Sequence, residues 1–205
     1  MCGRFTLRSS GEVVREMPQA QDRQLAYLRW GLIPAWSDDP SIGDRLANAR
    51  AETAATKPSF RRAFRSRRCL VVADGFYEWQ KINGRKQPYF VGLQSDRPFG
   101  LAGLWERWEK GVEPVESCTI LTTDANELMQ PIHGRMPVIL PPDQYGLWLD
   151  PRCQDTRKLA RLLRPFPAGG MLAYPVSALV NNPKNDVPQC VRAVSGDYGP
   201  GGRAS

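Results

Sequence analysis

The chain has 205 residues, enough for one well-buried core and barely enough for two, so a single domain is expected. Its 41% hydrophobic and 24% charged residues exclude a disordered chain, and no apolar run approaches the roughly 18 residues that a membrane-spanning helix needs. The formal charge of +7 either attracts a polyanion such as nucleic acid or serves solubility alone.

In chain order, "SSGEVVREMP" reads as a short helix: Ser9 and Glu12 have capping-box spacing, Val13, Val14 and Met17 recur on one side, and Pro18 stops it. "LAYLRWGLIPAW" reads as a strand running into a loop broken by Pro34. "KPSFRRAFRSRR" places Phe60, Ala63 and Phe64 at i, i+3 and i+4 among arginines, an amphipathic helix with a basic outer face. Residues 69–93 read as strands, with Asn83-Gly84 as the type I′ turn of a hairpin. "GLAGLWERW", "SCTILTT" and "RMPVIL" are further strands. "TDANELMQP" reads as a short helix with Asp124 as N-cap and Pro131 at its end. "DTRKLARLLRPF" is a helix turning Leu159, Leu162 and Leu163 inward. Short turns between strands, with helices interspersed irregularly, predict an α+β fold: a curled, mainly antiparallel β-sheet or barrel with peripheral helices. The domain is expected over residues 1–190, followed by a disordered tail over 191–205.

The first twenty residues carry charges and lack an apolar h-region, so a cytoplasmic protein is expected. Cys2, Cys69, Cys118, Cys153 and Cys190 are scattered without CxxC spacing. That pattern fits neither a disulfide framework nor a zinc cluster, so free thiols and no structural metal or cofactor are predicted.

Cys2 directly follows the initiator. Methionine excision would leave an α-amine, titrating near about pH 7.7–8, and a thiol on adjacent carbons. Such an amine attacks aldehydes, and the thiol can capture the imine as a five-membered thiazolidine, both nucleophiles being held on one residue. The alternative is a small buried hydrophobe near a chain end. His133, the one histidine, sits between Pro131 and Pro137 in a loop suited either to acid–base chemistry or to structure. Glu78, between Tyr77 and Trp79, is either a solvated strand charge or a carboxyl whose pKa is raised by aromatic packing, fit to donate a proton. Asn48 and Arg50, two residues apart in "LANARAET", could position a carbonyl and a phosphate, or cap a helix.

Six ordered segments, "MCGRFTL", "RWGLIPAW", "NARAETAATKPSFRRAF", "RRCLVVADGFYEWQK", "IHGRMPVIL" and "VNNPKND", closely resemble the SRAP family of SOS response-associated peptidase-like, abasic-site-processing proteins. The similarity runs from Met1 to about Asp186. It implies a monomeric cytoplasmic protein, nucleoid-associated when on DNA, that binds single-stranded DNA at abasic sites and crosslinks to it through Cys2. By the same resemblance Asn48 orients the amine, Glu78 promotes imine formation and His133 assists ring opening and reversal. Arg4, Trp36, Arg50 and Arg135 match positions that contact phosphates or unstacked bases.

The family's segment with a Tyr-Asn-x-Ala-Pro pattern, which walls the DNA cleft, is missing here near residues 18–28. That departure bears on DNA affinity and folding. Two rival functions stay open: a Cys2-dependent (auto)peptidase with His133 as base, and a non-catalytic binder of single strands. An imine that escapes capture would also give weak lyase activity.

Overall fold

Strands dominate the computed structural model, which describes residues 4–6, 13–16 and 23–194. They are β1 (Arg4–Thr6), β2 (Val13–Glu16), β3 (Arg23–Ala26), β4 (Arg29–Trp30), β5 (Asn48–Arg50), β6 (Arg68–Ala73), β7 (Gly75–Ile82), β8 (Arg85–Leu93), β9 (Phe99–Trp108), β10 (Val115–Asp124), β11 (Arg135–Pro137), β12 (Ile139–Leu140) and β13 (Met171–Pro175). Four short helices accompany them: α1 (Ala51–Ala54), α2 (Arg61–Ser66), α3 (Tyr145–Leu149) and α4 (Thr156–Ala160).

The strands form two sheets, as an α+β fold requires. One runs β1-β7-β8-β13, and the other runs β11-β10-β9-β6-β2-β3 with β12 on β9 and β4 and β5 on β10. Every pairing is antiparallel except β4 and β5, which lie parallel to β10. The barrel alternative is not realised: among the described residues the larger sheet stays open, ending at β3 and β11. The β7–β8 hairpin turns on Asn83 (φ 48°) and Gly84 (φ 77°), the two left-handed residues that a type I′ turn demands. Gly31 (φ 118°) and Gly43 approach so closely that a Cβ on Gly31 would stand 2.6 Å from the Gly43 carbonyl oxygen. That contact sets the "RWGLIP" segment against the turn of helix at Pro40–Arg45.

Three apolar clusters hold the layers together. The helices close one against β6, β9 and β10: Phe60, Ala63 and Phe64 turn inward from α2 and its approach, to meet Trp148 of α3 and Leu159 of α4. Phe76, Val91, Leu101, Ile120 and Met136 fill the space between the sheets. Tyr77, Phe90, Val176, Val180 and Cys190 pack on the far side of the smaller sheet. The predicted amphipathic helix thus buries the residues its spacing selects.

Several expectations give way. The helix predicted from Ser9 is a strand at Val13–Glu16, where the backbone of Val13 and Val14 pairs with Val71 and Leu70 of β6. Sheet pairing outweighs the capping-box pattern there, and valine favours it. The helix predicted for "TDANELMQP" is a series of turns. Asp124 closes β10, and Asn126 caps in its place, its side-chain oxygen accepting from the Met129 N–H at 3.0 Å. The fold also extends past residue 190: Ala193 bridges Val176, and the Val194 N–H donates to the Pro175 carbonyl at 3.0 Å. The rest of the tail, from residue 195, lies outside the described residues, as does Cys2.

Candidate active site

Strand β7 alternates cleanly. Phe76 enters the core between the sheets and Tyr77 the cluster on the opposite face, so Glu78 emerges on the Phe76 side, only 2% exposed. Burial pushes its carboxyl above the usual carboxylate range, and the charge of nearby His133 pulls against that shift. The reading of Glu78 as a solvated strand charge is therefore replaced by a buried carboxyl. Gln80, next on the same face, donates from Nε2 to the Pro131 carbonyl at 2.9 Å and ties down the loop that carries His133.

The His133 ring is fixed from its own loop. Nδ1 lies 3.0 Å from both the N–H and the carbonyl oxygen of Arg135. A neutral imidazole accepts from that N–H, while an imidazolium donates to that carbonyl, so the ring keeps a partner through a change of protonation. Glu78, Trp79, His133 and Asn181 line one open groove of about 820 Å³, with Lys81 and Lys86 at its rim. A buried carboxyl and an imidazole held through Nδ1 line the same groove, residue types that can give and take protons in carbonyl chemistry.

Asn48, Arg50 and Arg135 cluster around the end of β10. Asn48 and Arg50 share one face of β5, with Ala49 buried on the other, and pair with Ile120 and Thr122. Arg135 pairs with Asp124 on β11. Its guanidinium grips Glu52 with two bonds of 2.8 and 2.9 Å and donates to Asp124 (2.8 Å) and to the Thr122 carbonyl (2.6 Å). Arg135 is thus held between two carboxylates, whereas Arg50 is exposed. Hydrogen bonding from Arg135 holds the Glu52 carboxyl below its usual range.

Arg4 and Trp36 are placed differently. Arg4 stands opposite Tyr77 in the β1–β7 pairing. Its guanidinium donates to the carbonyls of Val180, Asn182 and Asn185 and lies over the Tyr77 ring. It therefore buttresses the "VNNPKND" loop, which Trp79 also anchors by donating to Asn181 at 2.7 Å. Trp36 is 55% exposed and lines a separate concavity with Pro58, Arg61 and Arg62, away from the groove of Glu78 and His133.

Glu52, Gln80 and Asn181 complete this arrangement without having been singled out in the sequence. Two of them carried a signal: Glu52 alternates with Asn48 and Arg50, and Gln80 shares the strand face of Glu78 by the two-residue period. Cys69, Cys118, Cys153 and Cys190 are free thiols, and burial pushes Cys118 up to about 12. Among the described residues no three His, Cys, Asp or Glu side chains are grouped to hold a metal, and no helix is long and apolar enough to cross a membrane.

Known proteins share both sequence and fold. The family model for SOS response associated peptidase (SRAP) proteins matches residues 7–183. The chain is 41% identical over 223 aligned residues to the abasic site processing protein YoqW of Bacillus subtilis (strain 168), covering 94% of this chain and 100% of that protein. It is 37% identical to the abasic site processing protein HMCES of Gallus gallus, over 90% of this chain and 63% of that one. A crystal structure from Bacteroides thetaiotaomicron matches with a TM-score of 0.80 at 31% identity, covering 90% of this chain and 81% of its own. One from Bordetella bronchiseptica matches at 0.71 and 32% identity, covering 82% and 83%. With a family model spanning most of its length and relatives matched almost end to end, the chain belongs to the SRAP family, whose members include the abasic site processing proteins YoqW and HMCES.

Proposed function

We propose that this protein processes abasic sites in single-stranded DNA by forming a thiazolidine between Cys2 and the sugar aldehyde. The observation that carries this reading is the register of β1: Arg4 meets Tyr77, the residue before the buried Glu78, in the sheet that forms one wall of the His133 groove. Cys2 is two residues from Arg4, a tether of at most about 7 Å. Three of the other four cysteines are buried, which leaves few rival thiols.

After removal of Met1, the Cys2 amine adds to C1′ of the ring-opened deoxyribose and gives a carbinolamine. Glu78, whose carboxyl burial pushes upward, donates a proton to the departing hydroxyl, and water leaves as the imine forms. The Cys2 thiol adds to the imine carbon, its proton passes to nitrogen, and the ring closes. Asn48 orients the amine. His133 protonates the leaving group when the ring reopens, and β-elimination from an uncaptured imine gives weak lyase activity. Exposed Arg50 supplies phosphate charge to the strand, and Arg135, already paired with two carboxylates, chiefly holds His133 in place.

The test mixes the purified protein with single-stranded DNA carrying one abasic site and seeks a species that survives SDS and heat. Cys2→Ala should abolish it, as should one extra residue retained ahead of Cys2. Cys2→Ser should give an imine trapped by borohydride but no stable adduct. A band undiminished by Cys2→Ala defeats the mechanism. Adduct formation that tolerates a blocked α-amine points instead to thiol chemistry of the peptidase kind, which needs no free amine.

A further inference from the structure

Helix α2 turns Ala63 and Phe64 to the core at 1% and 0% exposure and leaves Arg61, Arg62 and Arg65 exposed. Among the described residues no carboxylate pairs with any of these three, whereas Arg29, Arg67, Arg107, Arg135 and Arg152 each have at least one. Arg61 and Arg65 stand four residues apart on one helix, a like-charge spacing that weakens a helix unless an anion relieves it. Arg61, Arg62 and Arg65 line a concavity of about 440 Å³, and Arg61 and Arg62 also line one of about 490 Å³ shared with Pro58 and Trp36. The two concavities share Arg61 and Arg62 as a common wall, a basic furrow in two parts.

Trp36 borders this furrow at 55% exposure, with its indole N–H turned to the Pro58 carbonyl at 3.4 Å. Glu52, which grips Arg135, precedes Pro58 by six residues of short helix and turn, on the order of 10 Å of chain.

We propose that the furrow binds the single strand flanking the lesion, with Arg61, Arg62 and Arg65 on successive phosphates beside Trp36, the base-contact position expected from the sequence. Guanidinium groups match phosphate oxygens in a planar fork, and an exposed indole suits a base that has no partner strand. The inference rests on the proposed DNA substrate but not on the covalent step.

The test uses undamaged oligothymidylates of 6 and 20 nucleotides, so that no adduct can form. Log Kd is followed against log salt for the wild-type protein and for the triple variant Arg61→Gln, Arg62→Gln, Arg65→Gln. The wild-type protein should bind the 20-mer more tightly than the 6-mer, and the triple variant should lose that gain. Its salt slope on the 20-mer should fall by about 2, at roughly 0.7 per single-strand phosphate contact. Trp36→Ala should weaken 20-mer binding roughly tenfold with little change of slope, because stacking releases no counterions. A triple Arg→Lys variant should keep the slope and so separates charge from misfolding. An unchanged slope in the glutamine variant overturns the proposal, as does an equal loss on duplex DNA. Loss of slope together with absence of any Cys2 adduct sustains the furrow and defeats the chemistry, while an intact adduct with an unchanged slope does the reverse.

Discussion

Glu78 carries the largest consequence for a single side chain. Its folded-state pKa is raised by burial, so the folded protein holds that proton more tightly than the unfolded chain. The favourable contribution is complete below the unfolded carboxyl value and is lost as pH rises through the folded one, where a charged carboxylate must stay buried. Glu78→Gln keeps the shape and removes that burden. Its melting temperature should exceed the wild type at pH 8 and match it near pH 4, while adduct formation slows by about 10² or more. Equal melting shifts at the two pH values would show that the carboxyl is not buried as a charge. The alternation of aromatic and acidic residues around Glu78 was readable beforehand, but its burial was not. A strand pattern gives a face, and only the elements packed on that face give its solvent exposure.

At the scale of elements, Arg68 shows how one cation can end two helices. It is 2% exposed at the start of β6 and donates to the carbonyls of Phe64 and Arg65 from α2 and of Trp148, Asp150 and Cys153 at and beyond α3. Burial lowers its pKa, yet these carbonyls and the face of Trp148 surround the charge. Arg68→Met should cost at least about 3 kcal/mol in urea unfolding, because several buried acceptors lose their donor together. A loss below about 1 kcal/mol would mean that water replaces the guanidinium. Elements governed by neighbours in sequence matched expectation, α2 by its spacing and β7–β8 by Asn83-Gly84, whereas the helix expected over 155–166 keeps only Thr156–Ala160, capped by Asp155, and leaves Leu162 and Leu163 beyond its end. Those that failed, the segment from Ser9 and "TDANELMQP", had good local helix signals but were claimed by β6 and by Arg135.

Across the molecule, the Glu52–Arg135 pair joins α1 to β11 and, through the Arg135 backbone, to the His133 ring. Arg135 lowers the Glu52 pKa, so this link is complete above the unfolded carboxyl value and is lost as pH falls through the lower folded one. Glu52→Gln should leave melting nearly unchanged, since the carboxylate is 46% exposed, yet slow adduct formation at saturating DNA as Arg135 loosens. Rapid-quench kinetics on the abasic oligonucleotide checks it, and an unchanged rate would make Arg135 independent of Glu52.

Most strands, the hairpin turn and the inward face of α2 were set by residues within a few positions of one another, and family membership by short segments ordered along the chain. Short-range periodicity and turn stereochemistry suffice for those. Folding alone decided that Glu78 is buried, that Arg135 is held by Glu52 from 83 residues away, and that Arg4 grips a loop 178 residues downstream. Such contacts depend on which distant surfaces meet, and no local pattern encodes that.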